Sequence, residues 1–147
     1  PENRNEITTE GGLDLKNNKN KIKKIISQFK KKKIRTSLFI NPSIKDIYLS
    51  KEIGADCIEI HTGHFSNLVK SKKSFIKEFL KIKKCAMLAS KIGVEVHAGH
   101  GLDFKSTKIL NRINEIVEFN IGHFIIGESI FYGLPSVIKK FKRIIKN

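Results

Sequence analysis

The sequence of 147 residues predicts an α/β fold with a parallel sheet. Stretches with helical apolar spacing alternate four times with short β-rich runs, and an amphipathic stretch closes the chain. Glycines and other turn residues separate the two kinds of stretch. In two of the β-rich runs, one face carries polar residues near the carboxyl end. Four helix–strand units of this kind form either a small doubly wound domain or half of an eight-stranded barrel.

Apolar periodicity and turn signals justify each element in order. Helices are predicted where apolar residues recur every three or four positions, and strands where β-branched residues cluster. Asn41-Pro42 closes the first strand, and Ser43 is a suitable N-cap for the helix after it. Gly54 and Gly93 end two of the helices. The predicted elements are helix 19–32, strand 34–40, helix 43–53, strand 57–60, helix 71–92, strand 94–96, helix 106–113, strand 119–126 and helix 134–145.

Residue alternation within the second and third strands favours a barrel. Glu59 and His61 share one face of the second strand, and two isoleucines share the other. Glu95 and His97 repeat the polar pattern in the third strand. An ordinary buried parallel strand is apolar on both faces. A barrel with an active site over the carboxyl ends of its strands produces the observed pattern.

The histidines all lie in or directly after three of the predicted strands, beside glycines. They are His61, His64, His97, His100 and His123. Imidazole titrates near neutral pH, and glycine lets the backbone come close to a ligand. We therefore predict a catalytic, anion-binding rim at these strand ends. The two His-x-x-His pairs do not predict a metal site, because neither lies on a helix with a matching acidic residue.

Two of these histidines are the main candidates for the site. His100, followed by Gly101, is a candidate general acid or base, with a flexible loop as the alternative interpretation. Gly122-His123 is predicted inside the last strand, ahead of a short helix from about Glu128. That order fits an anion held by a glycine loop and a helix N-terminus, and a tight strand-to-helix turn is the alternative.

Composition limits the other classes of function. The net charge is +15, which raises nucleic acid as a partner. Most of the lysines, however, lie on helix-like stretches and are expected on the solvent-facing sides of helices. The sequence also has no stripe of interleaved arginines and aromatic residues that would predict nucleic-acid binding. No apolar stretch is long enough to span a membrane, and no signal peptide opens the sequence. Cys57 and Cys85 are expected to be reduced core residues of a cytoplasmic protein.

Several segments together resemble the pyridoxine 5′-phosphate synthase family of vitamin B6 biosynthesis. They are Thr8-Thr9-Glu10-Gly11-Gly12-Leu13-Asp14, Ile58-Glu59-Ile60-His61-Thr62-Gly63, Ala98-Gly99-His100-Gly101-Leu102 and Asn120-Ile121-Gly122-His123. The resemblance implies a TIM barrel, of which residues 1–147 form the C-terminal part within a single domain. It also implies a transferase-type, ring-closing synthase that condenses 1-deoxy-D-xylulose 5-phosphate with 3-amino-2-oxopropyl phosphate. No metal or organic cofactor is implied, and the expected assembly is a homo-octamer.

The resemblance also implies roles for individual residues. His100 matches the proton donor, and Glu59 a residue that faces the site with a less defined role. Gly101, Gly122 and His123 match contacts to the amino-oxopropyl phosphate. Thr8 matches a contact to the deoxyxylulose phosphate.

Two features depart from the family pattern. His97 stands where the family often has asparagine. The family's N-terminal strands carry further catalytic residues without counterparts here, so we expect residues 1–147 alone to be inactive. Another phosphate-binding barrel enzyme, an aldolase or isomerase, is the nearest alternative. A basic nucleic-acid-binding module is a more distant one.

Overall fold

The computed structural model describes residues 11–145, which form an α/β structure. Four strands make one parallel sheet in the order β1-β2-β3-β4, so each strand pairs with the next one along the chain. The elements are α1 (Leu15–Lys31), β1 (Ser37–Ile40), α2 (Ile44–Ile53), β2 (Cys57–His61), α3 (Gly63–Lys70), α4 (Ile76–Lys91), β3 (Glu95–Gly99), α5 (Phe104–Leu110), β4 (Ile116–Asn120), α6 (His123–Tyr132) and α7 (Leu134–Ile145). A doubly wound sheet reverses its strand order at a switch point, and no such reversal occurs within the described strands.

The register of the sheet brings the polar residues of neighbouring strands side by side. Glu59 on β2 pairs with His97 on β3, and His97 pairs in turn with Glu118 on β4. A β-bulge between Val96 and His97 shifts the last pairing. The polar face predicted for the second and third strands is therefore one continuous surface of the sheet.

The opposite face of the sheet packs against helices and forms the core. Ile58, Ile60 and Ala98 on the strands are fully buried, as are Phe65 and Ile82 on the helices. Burying each large apolar side chain contributes about 1.5–3 kcal/mol to the free energy of unfolding. The packing of the helices on this face of the sheet therefore stabilises the fold. Cys57 and Cys85 are free and buried, as predicted. Burial raises the pKa of the Cys85 thiol to about 11.

Local signals hold most helix ends where the sequence predicts them. Ser43 accepts a hydrogen bond from the backbone N of Asp46 and caps α2. Gly54 ends that helix with φ +94°, a conformation that glycine adopts without strain. Asp14 caps α1 by accepting from the backbone N of Asn17, so this helix begins four residues before its predicted start. No helix among residues 11–145 is long and apolar enough to cross a bilayer.

The strand predicted over 119–126 is wrong after Asn120. β4 ends at Asn120, and Gly122 turns the chain into α6, which begins at His123. The apolar run after Gly122 belongs to a helix because Phe124 packs edge-on against Phe104 on α5, with ring centroids 4.9 Å apart. A short apolar run does not distinguish a strand from a buried helix by its pattern alone. The separate helix predicted from about Glu128 is the middle of α6.

Smaller differences from the predictions occur in other elements. α3 was not predicted, because its eight residues directly follow the motif that ends β2. The long helix over 71–92 begins only at Ile76, and the first strand begins at Ser37 rather than at residue 34. The helix predicted over 106–113 is α5, which Asp103 caps by accepting from the backbone N of Ser106.

Candidate active site

A cavity of about 500 Å³ opens at the carboxyl end of the sheet. It lies over the ends of β2, β3 and β4, where loops leave the strands. Five of the six predicted site residues line it, and these are Glu59, His100, Gly101, Gly122 and His123. The sixth, Thr8, lies outside the described residues. The structure thus brings together residues that are up to 64 positions apart in sequence (59 to 123).

Glu59 supplies the carboxylate of the cavity. Its Oε2 accepts a hydrogen bond of 2.7 Å from Asn120 Nδ2 on β4. A Cβ at position 99 would overlap Glu59 Oε1, so only glycine leaves room for this carboxylate across β3. Burial raises the pKa of Glu59, while the Asn120 hydrogen bond and the nearby His97 and His100 oppose that rise. The group is thus a partly desolvated carboxylate beside two imidazoles.

His100 lies beside a second imidazole. Its ring stacks on that of His61, with centroids 4.6 Å apart and planes inclined by 26°. Phe39 on β1 lies against both rings, at centroid distances of 5.2 Å from His61 and 6.3 Å from His100. A Cβ at Gly63 would come within 2.7 Å of His100 Cδ2 and 2.8 Å of His61 Cε1. The first residue of α3 must therefore be glycine for the two rings to pack over it.

The start of α6 lies at the edge of the cavity. Gly122 is the N-cap residue, and among residues 11–145 no side chain caps the helix. The first hydrogen bond within the helix runs from Ile126 N to Gly122 O. The backbone N–H groups of the first turn come before it and have no carbonyl partner within the helix. These N–H groups and the helix dipole attract negative charge. Among the described residues, none lies within 4 Å of a Cβ built at Gly122.

Comparison with known proteins identifies the family of the chain. A family model described as "Pyridoxal phosphate biosynthesis protein PdxJ" matches residues 1–147. The chain belongs to this family. The resemblance found in the sequence motifs is thereby confirmed.

Individual PdxJ relatives carry the name pyridoxine 5′-phosphate synthase. The protein of that name from Pelagibacter ubique is 63% identical over 144 residues, which cover 98% of this chain and 60% of the relative. The one from a Sulfurihydrogenibium species is 46% identical over 147 residues, with 100% and 60% covered. The one from Zymomonas mobilis is 42% identical over 145 residues, with 99% and 56% covered. The chain therefore spans about 60% of the length of the curated relatives it matches.

The cavity of this PdxJ chain includes residues that the sequence did not single out as site residues. Asn120 lines the cavity and donates a hydrogen bond to Glu59. The signal that could have revealed Asn120 is its position in the same short motif as Gly122-His123. Lys70 lines the cavity from the end of α3. Among residues 11–145, Lys70 has no ion pair or side-chain hydrogen bond. No sequence signal distinguishes Lys70 from the other lysines, because only the course of α3 brings it to the cavity.

The remaining histidines lie outside the cavity lining. His97 lies deeper in the sheet, with Nε2 2.8 Å from Glu95 Oε1 and Nδ1 3.4 Å from Glu118 Oε1. His64 is exposed on α3. Within the part of the chain that the structure describes, no group of three or more His, Cys, Asp or Glu side chains is placed to hold a metal ion.

Proposed function

We propose that this chain carries part of the active site of a pyridoxine 5′-phosphate synthase. The reaction condenses 1-deoxy-D-xylulose 5-phosphate with 3-amino-2-oxopropyl phosphate, and it releases inorganic phosphate and water. One observation carries the proposal: an imidazole, a half-buried carboxylate and an open helix N-terminus line the same cavity. These groups suit a phosphorylated substrate that needs proton transfer at a carbon skeleton.

The phosphate of the amino-oxopropyl substrate is assigned to the start of α6. Backbone N–H groups beyond Gly122 and the backbone at Gly101 hold the phosphate oxygens, and His123 adds a polar contact. Gly101 has φ +74°, so a residue with a side chain would be strained there. Lys70 supplies positive charge from the rim of the cavity.

His100 is assigned as the proton donor. A departing hydroxyl leaves as water only if it receives a proton, and imidazolium donates one near neutral pH. Glu59 is assigned to the charge that develops at the amine. When an amine adds to a carbonyl and loses water, the resulting iminium carries positive charge, and a fixed carboxylate stabilises it.

We also propose that the four strands are part of an eight-stranded barrel, with residues 1–147 in one domain. The sequential strand order supports this, and so does the polar face that surrounds the cavity. Ile130 and Phe131 on α6 are 78% and 79% exposed, as expected of apolar residues that further elements cover. Assembly into a homo-octamer and the independence from metals and organic cofactors stay predictions.

The test is an assay of the complete native protein with both phosphorylated substrates. We expect pyridoxine 5′-phosphate and inorganic phosphate to form in equal amounts. His100→Asn should lower kcat by about 10²- to 10⁴-fold with little change in KM. His64→Asn is the matched control, since His64 is exposed on α3 and outside the cavity, and its kcat should stay at the native level. Absence of product would overturn the function, and a native kcat in His100→Asn would overturn its proton-donor role.

A further inference from the structure

The backbone of His100 is strained. Its φ is +74°, a region that costs a residue with a side chain about 1–2 kcal/mol. Within residues 11–145, the other such positions are Lys33 and Lys72. Each of those lies two residues beyond the end of a helix, where left-handed residues are common. His100 instead lies between a strand and a helix, so something else must hold it in this conformation.

Thr62, between β2 and α3, makes the contacts that hold it. The side chain of Thr62 is fully buried. Its Oγ1 donates towards two carbonyl oxygens, 2.7 Å from Gly99 O and 2.8 Å from His100 O. Its backbone N also donates to Gly99 O, at 2.8 Å. The two peptide groups on either side of the His100 Cα therefore meet at one hydroxyl.

This arrangement fixes the backbone dihedrals of His100. The Gly99 carbonyl belongs to the peptide plane before the Cα, and the His100 carbonyl belongs to the plane after it. Since one hydroxyl holds both oxygens, rotation about either φ or ψ breaks a hydrogen bond. The residues on either side of Thr62 also contact the His100 ring. His61 stacks on it, and Gly63, which has no side chain, leaves room for it.

We propose that Thr62 is a positioning residue that holds His100 in its strained conformation and thereby keeps the imidazole over the cavity. This proposal rests on the proton-donor role proposed for His100. Loss of the hydroxyl releases the His100 carbonyl, so the turn relaxes and the ring leaves its stack on His61. Misplacing a proton donor by an ångström slows the chemical step far more than it weakens substrate binding.

The experiment compares Thr62→Val with Thr62→Ser in the complete native protein. Valine keeps the volume and removes the hydroxyl, whereas serine keeps the hydroxyl. We expect Thr62→Val to lower kcat by about 10- to 100-fold with KM within about twofold, and Thr62→Ser to recover most of the turnover. Thr107→Val is the control, because Thr107 is equally buried but its Oγ1 has no hydrogen-bond partner among residues 11–145, and its kcat should be native.

A second measurement does not depend on turnover. The ring proton signals of His100, assigned by NMR in the ligand-free protein, report the stack on His61 through ring currents. Thr62→Val should shift these signals, and Thr62→Ser and Thr107→Val should leave them in place. If Thr62→Val does not fold, Thr62→Ala removes the same hydroxyl without the extra methyl group.

Three results would overturn the proposal. A native kcat in Thr62→Val would do so, and so would equal losses of kcat in the valine and serine variants. Unmoved His100 signals in a folded Thr62→Val protein would show that the hydroxyl does not place the ring. If the native protein forms no pyridoxine 5′-phosphate, the proposed function fails, while the NMR comparison still decides whether Thr62 holds His100.

Discussion

Charged side chains at the amino end of the sheet pair with one another, whereas those at the carboxyl end face a cavity. At the amino end, Asp56 Oδ2 accepts from the backbone N and the hydroxyl of Thr36, at 2.8 and 2.9 Å, and Arg35 pairs with Glu95. At the carboxyl end, Glu59 and Lys70 line the cavity over the strands. Paired charges stabilise a fold, while charges that face a cavity are left for a ligand.

The backbone shows the same difference. Before β2 and β3, the left-handed positions are occupied by Gly54 and Gly93, with φ +94° and +71°, which glycine adopts without strain. After β3 the corresponding conformation falls on His100, where it costs stability. A left-handed position, where glycine would be the most stable residue, is thus occupied by His100. Lys33, before β1, is also left-handed, but it lies two residues beyond the end of α1, where such residues are common. The left-handed residue at the carboxyl end is instead one that lines the cavity.

Among the charged residues compared between the two ends of the sheet, Glu59 should have the largest effect on turnover when it is replaced by glutamine. Glu59→Gln keeps the shape of the side chain but removes its charge, and we expect kcat to fall about 10²-fold. Stability should be unchanged or should rise at neutral pH. The pKa of Glu59 is raised by burial, so ionising this carboxyl costs the folded state stability as pH rises above 4.5. Steady-state kinetics and thermal unfolding of the same preparations measure both effects.

Glu95→Gln is the matched control at the other end of the sheet. Glu95 is also a glutamate on the polar face, but it pairs with Arg35 and His97 instead of facing the cavity. We expect its kcat to stay within about twofold of native, with only a small loss of stability, because ion pairs of an exposed group contribute little. An equal loss of kcat in the two variants would refute the division between the ends of the sheet.

The sequence predicts much of the site because its residues lie in short segments at strand ends. Glu59, His100 and Gly122-His123 were predicted from alternation and from histidines beside glycines, and the structure brings all of them to one cavity. Parallel strands make this possible, because their carboxyl ends meet at one edge of the sheet. The roles of these residues came from the resemblance, and alternation alone did not separate a proton donor from a phosphate contact.

The rest of the site depends on packing that short-range patterns do not encode. α6 was predicted as strand because a few apolar residues after Gly122 fit either structure, and the contact of Phe124 with Phe104 decides for the helix. Lys70 reaches the cavity only because α3 folds back from the end of β2. The left-handed conformation of His100 follows from the buried hydroxyl of Thr62, which is 38 positions away.

Removing Asp56 should lower stability and leave turnover at the native level. Asp56→Ala leaves the backbone N and hydroxyl of Thr36 without their shared acceptor, so we expect a loss of about 1–2 kcal/mol at pH 7. The Thr36 hydrogen bonds hold the pKa of Asp56 below its ordinary 3.8. Its stabilisation is therefore present above pH 3.8 and is lost as pH falls through the lower pKa of the folded state.

Urea unfolding of the native and Asp56→Ala proteins across this pH range measures the difference. The two unfolding free energies should differ fully above pH 3.8 and converge as pH falls through the lower pKa of Asp56 in the folded state. A difference that grows in acid would contradict the lowered pKa of Asp56. A fall in kcat would show that the amino end also serves the reaction.

The smallest effect is expected at Lys70, on the rim of the cavity. Lys70→Gln removes one exposed positive charge near the proposed phosphate site, so we expect a loss of about 1 kcal/mol, or about a fivefold rise in KM. Because salt screens exposed charges, the KM difference between native protein and variant should shrink as ionic strength increases. Lys73→Gln is the control, since Lys73 is also exposed and lies three residues further on, outside the cavity lining. Equal KM values in the two variants would show that Lys70 contributes no more to phosphate binding than the general positive charge of the protein.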